Sequence, residues 1–336
     1  LCGDDFVIGC RMSAREWGDP LGTTLEEAVE FAKMFEKAGL DYIQASGYGY
    51  NEFWCCWAPT QLYWPEPVPS TKEFRDRIPT GAMLPEAEAI RKAVKIPVSS
   101  SNGYTYESAA RAINEDRADL IWMGRNLMVD PAYPKKLQQG RIEDIRPCAR
   151  CMHCVGKLWL NVPIECRWNA FMGHEHEIGD GQDFTPAKRK KKVMVVGAGP
   201  GGMEAARVAA LRGHEVTLYD KSKWLGGLMP LAAFIKESGY DFDTVKPTLD
   251  WYERQLRKLP NVTIRLGVEV RLETRANLDL IKSMAPDTVV IATGSLPRAP
   301  EEVPGIGLPH VVQGWDVMLG KASVGERVAL VSQEDY

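Results

Sequence analysis

The sequence predicts an α/β chain in two pieces joined by a cysteine-rich segment. Three observations carry that prediction. Strand-like and helix-like runs alternate from Val7 to Met123, as parallel strands linked by crossover helices do. A second αβ pattern begins at Val193, where an apolar run meets a glycine-rich turn. Between the two, four of the eight cysteines crowd into the stretch from Cys148 to Cys166. The 336 residues suffice for two domains, and 45% hydrophobic with 26% charged content is ordinary for a globular protein.

The elements of the first piece follow in order. Val7 to Met12 is a short β-type run. Thr23 and Thr24 each precede a glutamate by three residues, the pattern of a capped helix start, and Leu25, Val29, Ala32 and Phe35 continue at helical spacing. Gly39 is a natural stop. A strand is expected at Asp41–Ala45, a helix over Glu86–Val94 and a strand at Ile96–Ser100. A helix over Glu107–Asn114 and a strand at Leu120–Met123 complete the series. The long stretch after Ala45 is an aromatic loop, Ser46 to Trp57, and no histidine occurs in it. The polar stretch from Gly179, with the basic run Lys188–Lys192, reads as a solvated linker.

Gly197-Ala198-Gly199-Pro200-Gly201-Gly202 follows the apolar strand Val193–Val196 and opens an alanine-rich helix. Gly197 permits the tight turn, Gly199 lets a pyrophosphate approach the backbone, and Gly202 lets helix and strand pack closely. The next strand, Glu215–Asp220, ends in an acid placed to bind a ribose hydroxyl. Leu225-Gly226-Gly227 resembles the glycine pair of FAD and glutathione-reductase-like domains, and Asp287 to Thr293-Gly294 resembles their later strand and turn. Together these favour FAD over a bare nicotinamide site. An inserted NAD(P)H domain would open with a further strand and glycines. Arg327–Val331 supplies strand-like residues, but Ser332 and Glu334 replace the glycines, which predicts a degenerate second nucleotide site.

Cys148, Cys151, Cys154 and Cys166 form a C-x2-C-x2-C-x11-C pattern. Three thiolates on a tight loop and one from further along suit an iron–sulfur cubane, and structural zinc is the alternative on spacing alone. His153, His174 and His176 read as surface or packing residues, and Cys55 and Cys56 as small buried hydrophobes. A net charge of -4 argues against a nucleic-acid surface. No apolar run reaches membrane-spanning length and no signal peptide opens the chain, so a reducing cytoplasm is the expected setting. Leu1 in place of Met, and an end inside a strand-like run, suggest a fragment.

The order of parts resembles the family of 2,4-dienoyl-CoA reductase and trimethylamine dehydrogenase, the iron–sulfur branch of the old yellow enzyme superfamily. The residues that carry the resemblance are Ile8–Ser13, Ala118–Leu120, Met123–Arg125, Asp130-Pro131 and Ile145–Cys148, followed by the cysteines and the glycine turn in family order. The resemblance implies the C-terminal half of a (β/α)8 barrel over residues 1–145, a cluster segment over 146–178, a linker over 179–192 and an incomplete Rossmann-like FAD domain over 193–336. It implies FMN in the barrel, a [4Fe-4S] cluster on Cys148, Cys151, Cys154 and Cys166, and FAD on Gly197, Gly199, Gly202, Asp220, Gly226, Gly227, Thr293 and Gly294. Arg11, at a strand end, would face the N1–C2 edge of the FMN ring. Gly124 and Arg125, with Asn102 and Gly103, would hold its phosphate, although asparagine replaces the family's usual glycine at 102.

The reaction so implied is reduction of an activated double bond, as in an enoyl-, dienoyl- or aryl-CoA thioester, with Tyr48 or Tyr50 as the candidate proton donor. The same tyrosines could equally pack or wall a flat substrate. A second implied reaction is amine dehydrogenation, which the x2 spacing before Cys154 resembles, whereas the x11 spacing before Cys166 resembles the reductases. A third reading, of another class, is a non-catalytic electron-transfer or scaffolding subunit. NAD(P)H, a ferredoxin or an electron-transfer flavoprotein are the candidate electron partners, and a homo-oligomer is the candidate assembly.

Overall fold

The computed structural model describes residues 3, 5–17, 21–49, 81–179, 181, 184–229, 231, 245–268, 275–297 and 303–331. Contacts divide the chain into two compact units, Leu1–Met128 with Arg150–Val162, and Val129–Ala149 with Pro163–Tyr336.

The first unit is built on β1 (Gly9–Trp17), β2 (Tyr42–Gly49), β3 (Val98–Ser100) and β4 (Leu120–Ile121), all parallel and paired in chain order. Helices α1 (Leu25–Lys37), α2 (Leu84–Ala93) and α3 (Tyr106–Asn114) alternate with them. Thr24 caps α1 in a reciprocal box: its hydroxyl accepts from the Glu27 N–H, and the Glu27 carboxylate accepts from the Thr24 N–H at 3.0 Å. Gly39 ends the helix at a φ of +92°, open to glycine at no steric cost.

Successive residues of β1 and β2 face opposite ways. Met12, Ala14, Ile43 and Ala45 turn toward α1 and α2, where Ala28, Ala32, Ala87 and Ile90 complete a buried core. The alanines let helix and sheet approach closely, and each fully buried isoleucine is worth about 1.5–3 kcal/mol over an exposed one. Both strands run further than their apolar residues suggest. Pairing continues from Gly9↔Tyr42 to Trp17↔Gly49, so Arg11 lies within its strand and does not end it, and Tyr48 lies on β2, not in a loop. Backbone pairing with a neighbour, which composition does not report, carries the strands on.

Short helices α4 (Gly124–Val129), α5 (Tyr133–Gln138), α6 (His153–Trp159) and α7 (Glu175–Ile178) follow. The second unit centres on β5 (Lys192–Val196), β6 (Glu215–Asp220), β7 (Val262–Leu266) and β8 (Thr288–Ile291), parallel in the order β7-β6-β5-β8. Helices α8 (Pro200–Leu211), α9 (Val245–Lys258), α10 (Arg275–Met284) and α11 (Gly314–Met318) belong with it. That order places the first strand beside both the second and the fourth, as in doubly wound dinucleotide folds.

Two linker and strand expectations change. The basic run is exposed throughout, with surface ion pairs from Arg189 to Asp287 at 3.4 Å and from Lys190 to Glu215 at 3.6 Å, but its last residue, Lys192, already belongs to β5. Arg327–Val331 forms no strand, and Leu330 is 87% exposed without a strand partner among the described residues. Ser332 and Glu334 lie outside the described residues. Among the described residues, no helix is long and apolar enough to cross a membrane.

Candidate functional site

The glycine turn of the second unit is built by exclusion of side chains. Gly197 leaves β5 at a φ of +105°, and a Cβ there would stand 2.1 Å from the Ala292 carbonyl oxygen. A Cβ on Gly202 would stand 1.8 Å from the Gly197 oxygen. Gly226 donates its N–H to the Ala198 carbonyl at 2.8 Å, and a Cβ on Gly227 would stand 2.9 Å from the Gly199 Cα. Thus the two glycine motifs and the turn after β8, where Thr293 precedes Gly294 at a φ of +74°, converge around the start of α8. Asp220 ends β6, and its carboxylate accepts from the Ala198 N–H at 2.6 Å and the Ser222 N–H at 2.7 Å. It therefore braces the glycine loop, and a carboxylate retains lone pairs for a further donor. A narrow cradle of bare backbone with an acid at its edge fits a dinucleotide such as FAD.

In the first unit, the sheet face opposite the helices is polar. Arg11 pairs in register with Gln44, Ser13 with Ser46, and Gln44 with Ser99. Arg11 donates to the Ser46 hydroxyl at 3.0 Å. The hydroxyls of Ser13 and Ser101 are buried and have no hydrogen-bond partner among the described residues, so the face offers polar groups for a ligand. After β3, Asn102 and Gly103 both take left-handed conformations, at φ of +73° and +78°, and the Asn102 carbonyl accepts from Ala82 at 2.9 Å. Asparagine tolerates that conformation better than most residues, which accounts for its place beside the glycine. Gly124 opens α4, and Arg125 contacts the Met152 sulfur at 3.3 Å. A cation within β1, buried hydroxyls on the same face and a left-handed turn after β3 fit a phosphate-bearing polar cofactor such as FMN. Nothing describes the Tyr48 side chain, and Tyr50 lies outside the described residues, as do Cys55 and Cys56.

Cys148, Cys151, Cys154 and Cys166 are all outside disulfides. Arg150 and Met152, between the first three, are left-handed at φ of +47° and +59°. Such alternation turns backbone N–H groups to one side and recurs around iron–sulfur sites. Cys148 and Cys166 belong to the second unit, and Cys151 and Cys154 to the first. Among the described residues, no three His, Cys, Asp or Glu side chains come together tightly enough to hold a metal ion. In donor chemistry and local backbone the four thiols fit a thiolate-bound cluster. His174 and His176 pair with Glu177, in keeping with surface roles.

One group of residues escaped the sequence reading. Arg146, 6% exposed, donates its guanidinium to the Trp168 carbonyl and to Glu204 at 3.3 Å, and stacks on Trp251 at 4.3 Å. Arg207, 5% exposed, grips Glu204 with two bonds of 2.8 Å. Burial pushes the Glu204 carboxyl up, and the two guanidinium groups outweigh it and hold the carboxyl below its usual range. The signal that could have found them is Glu204 and Arg207 in the otherwise apolar stripe Met203, Ala206 and Ala210 of α8.

Residues 1–144 match the NADH:flavin oxidoreductase / NADH oxidase family, and residues 191–323 match the pyridine nucleotide-disulphide oxidoreductases. The chain belongs to the flavin oxidoreductase family of 2,4-dienoyl-CoA reductase and trimethylamine dehydrogenase. An NADH oxidase of Thermoanaerobacter brockii is 37% identical over 96% of this chain and 45% of its own length. An N,N-dimethylglycine/sarcosine dehydrogenase of Chromohalobacter salexigens is 32% identical over 98% of this chain and 45% of its own. The structure of 2-naphthoyl-CoA reductase with 2-naphthoyl-CoA is similar at a TM-score of 0.77 and 32% identity, over 96% of this chain and 45% of that one. The chain thus spans about half the length of these relatives. The two families together support FMN and FAD as the flavins.

Proposed function

We propose that this chain is part of an iron–sulfur flavoenzyme that reduces an activated carbon–carbon double bond, in an enoyl-, dienoyl- or aryl-CoA thioester. The observation that carries the reading is the likeness to 2-naphthoyl-CoA reductase along nearly the whole chain. The flavins and a [4Fe-4S] cluster would supply hydride chemistry and one-electron transfer when bound. Arg11 would place a cation at the electron-rich edge of the FMN ring. Asn102, Gly103, Gly124 and Arg125 would hold its phosphate, and Ser13 and Ser101 would give their unsatisfied hydroxyls to its polar side. Gly197, Gly199, Gly202, Gly226, Gly227, Thr293 and Gly294 would cradle FAD, with Asp220 bracing the loop and meeting the ribose. Cys148, Cys151, Cys154 and Cys166 would ligate the cluster. Tyr48 or Tyr50 would deliver the proton to the carbon beside the one that takes the hydride.

Amine dehydrogenation with electron delivery to an electron-transfer flavoprotein is the second reading. The dimethylglycine/sarcosine dehydrogenase relative and the C-x2-C-x2-C spacing support it. The full-length protein, purified without oxygen, separates the two. Acid release is expected to yield FMN and FAD together, with iron and sulfide near four each. The reduced protein is then expected to be reoxidised by an aryl- or enoyl-CoA, while N,N-dimethylglycine leaves the oxidised flavin unbleached. Bleaching by the amine with no reoxidation by any thioester would reverse the assignment, and zinc with a single flavin would sink the cluster reading.

A further inference from the structure

We propose, resting on the cluster reading of the four cysteines, that Arg146 is a positioning residue for that cluster: it fixes the first and last cysteine segments to each other and sets a buried positive charge beside them. Arg146 stands two residues before Cys148, and Trp168 stands two residues after Cys166. The guanidinium of the first donates to the carbonyl of the second, so a single side chain joins the two flanks of the cysteine loop. These contacts all lie within one compact unit.

The residue is itself held on every side. Its backbone N–H donates to Asp130 at 2.7 Å, and Asp130 is anchored by Lys136 at 2.6 Å. The plane of the guanidinium rests on Trp251, whose indole N–H donates to the Asp144 carbonyl at 3.0 Å. Thr248 donates to the Pro147 carbonyl at 3.4 Å. The stretch from Asp144 to Pro147 is thereby held against α9. On the other flank, Cys166 forms an isolated backbone bridge with Asn169, which is 4% exposed. A planar fork of donors is what allows one residue to bind Trp168 and Glu204 at once; an ammonium lacks that geometry.

Two guanidinium groups, Arg146 and Arg207, face the one carboxylate of Glu204, which leaves one net positive charge in the buried group. Reduction makes a thiolate-bound cluster more negative, so a nearby buried cation favours the reduced state.

The test uses the full-length holoprotein under anaerobic conditions, with iron loss to a chelator and the cluster's midpoint potential as readouts. Arg146→Met is expected to lose iron about tenfold faster or more, in line with outer-shell residues of metal sites, and to have a lower midpoint potential. Arg146→Lys is expected to keep the potential near the parent's but not the retention, because charge survives and the fork does not. Glu204→Gln is expected to raise the potential, by removing a negative charge. A parental chelation rate and potential in Arg146→Met would overturn the proposal. Should that variant fail to accumulate, an unshifted potential in Glu204→Gln overturns it. A parent protein without iron and sulfide would instead overturn the cluster reading itself.

Discussion

A methyl group at Gly202 has no room: the Gly197 carbonyl occupies its place, and Ala292 closes the other side at 3.3 Å. Gly202→Ala must therefore push α8 away from β5, at a cost above the ~1–3 kcal/mol of ordinary overpacking, since the obstacle is backbone. The full-length variant is expected to lose FAD and retain FMN, as read by flavin release and separation. Full FAD occupancy would show that the cradle lies elsewhere. This residue was legible from sequence because the constraint is local, a strand, a turn and a helix in one continuous stretch. Arg146 was not, because its partners Trp168, Glu204 and Trp251 are distant in the chain and only folding assembles them. The polar sheet face of Arg11, Ser13 and Gln44 was not read from the sequence either, because register with the neighbouring strands is what gathers it.

The link between the turn at Ile142–Asp144 and helix α9 shows how one element secures another. Asp144 accepts from Lys258 at 2.7 Å, Gln255 at 3.0 Å and Arg141 at 3.0 Å. Burial pushes its carboxyl up, and these three donors outweigh burial and hold it well below the usual carboxylate range. The folded pKa lies below the unfolded one, so the stabilisation is complete above about pH 4 and is lost as pH falls through the folded pKa. Asp144→Asn is expected to cost about 1–2 kcal/mol at neutral pH, a figure reduced for the exposure of Lys258 and Arg141. In thermal unfolding scans of the full-length protein, the gap between parent and variant should close as the solution becomes strongly acidic. A gap independent of pH would assign the effect to packing. Elements with their own stop and start residues, such as the Thr24 box and Gly39, matched the sequence reading. Those whose extent depends on a neighbour did not: β1 and β2 outran their apolar residues, and the strand-like stretch Arg327–Val331 formed no strand.

At the scale of the whole molecule, the first sheet ends in β1 on one side and β4 on the other, with no closure among the described residues. Unpaired strand edges template association. The 336-residue chain expressed alone is therefore expected to run as soluble aggregates or oligomers in light scattering, without a cooperative unfolding transition. A monomer that unfolds cooperatively would show that the four-stranded unit is self-sufficient. The parallel order of the first sheet was legible from the alternation of strand-like and helix-like runs, and the four strands pair in chain order as that alternation implies. The meeting of Gly199 with Gly227 reaches beyond this one chain. Gly199 occupies the volume that a side chain on Gly227 would need, 2.9 Å from its Cβ, whereas a Cβ on Gly199 would sit at an ordinary 4.0 Å from Gly227. Across descendants of this sequence the burden falls unequally, and a survey of variants selected for folding alone should hold Gly227 while admitting alanine at Gly199.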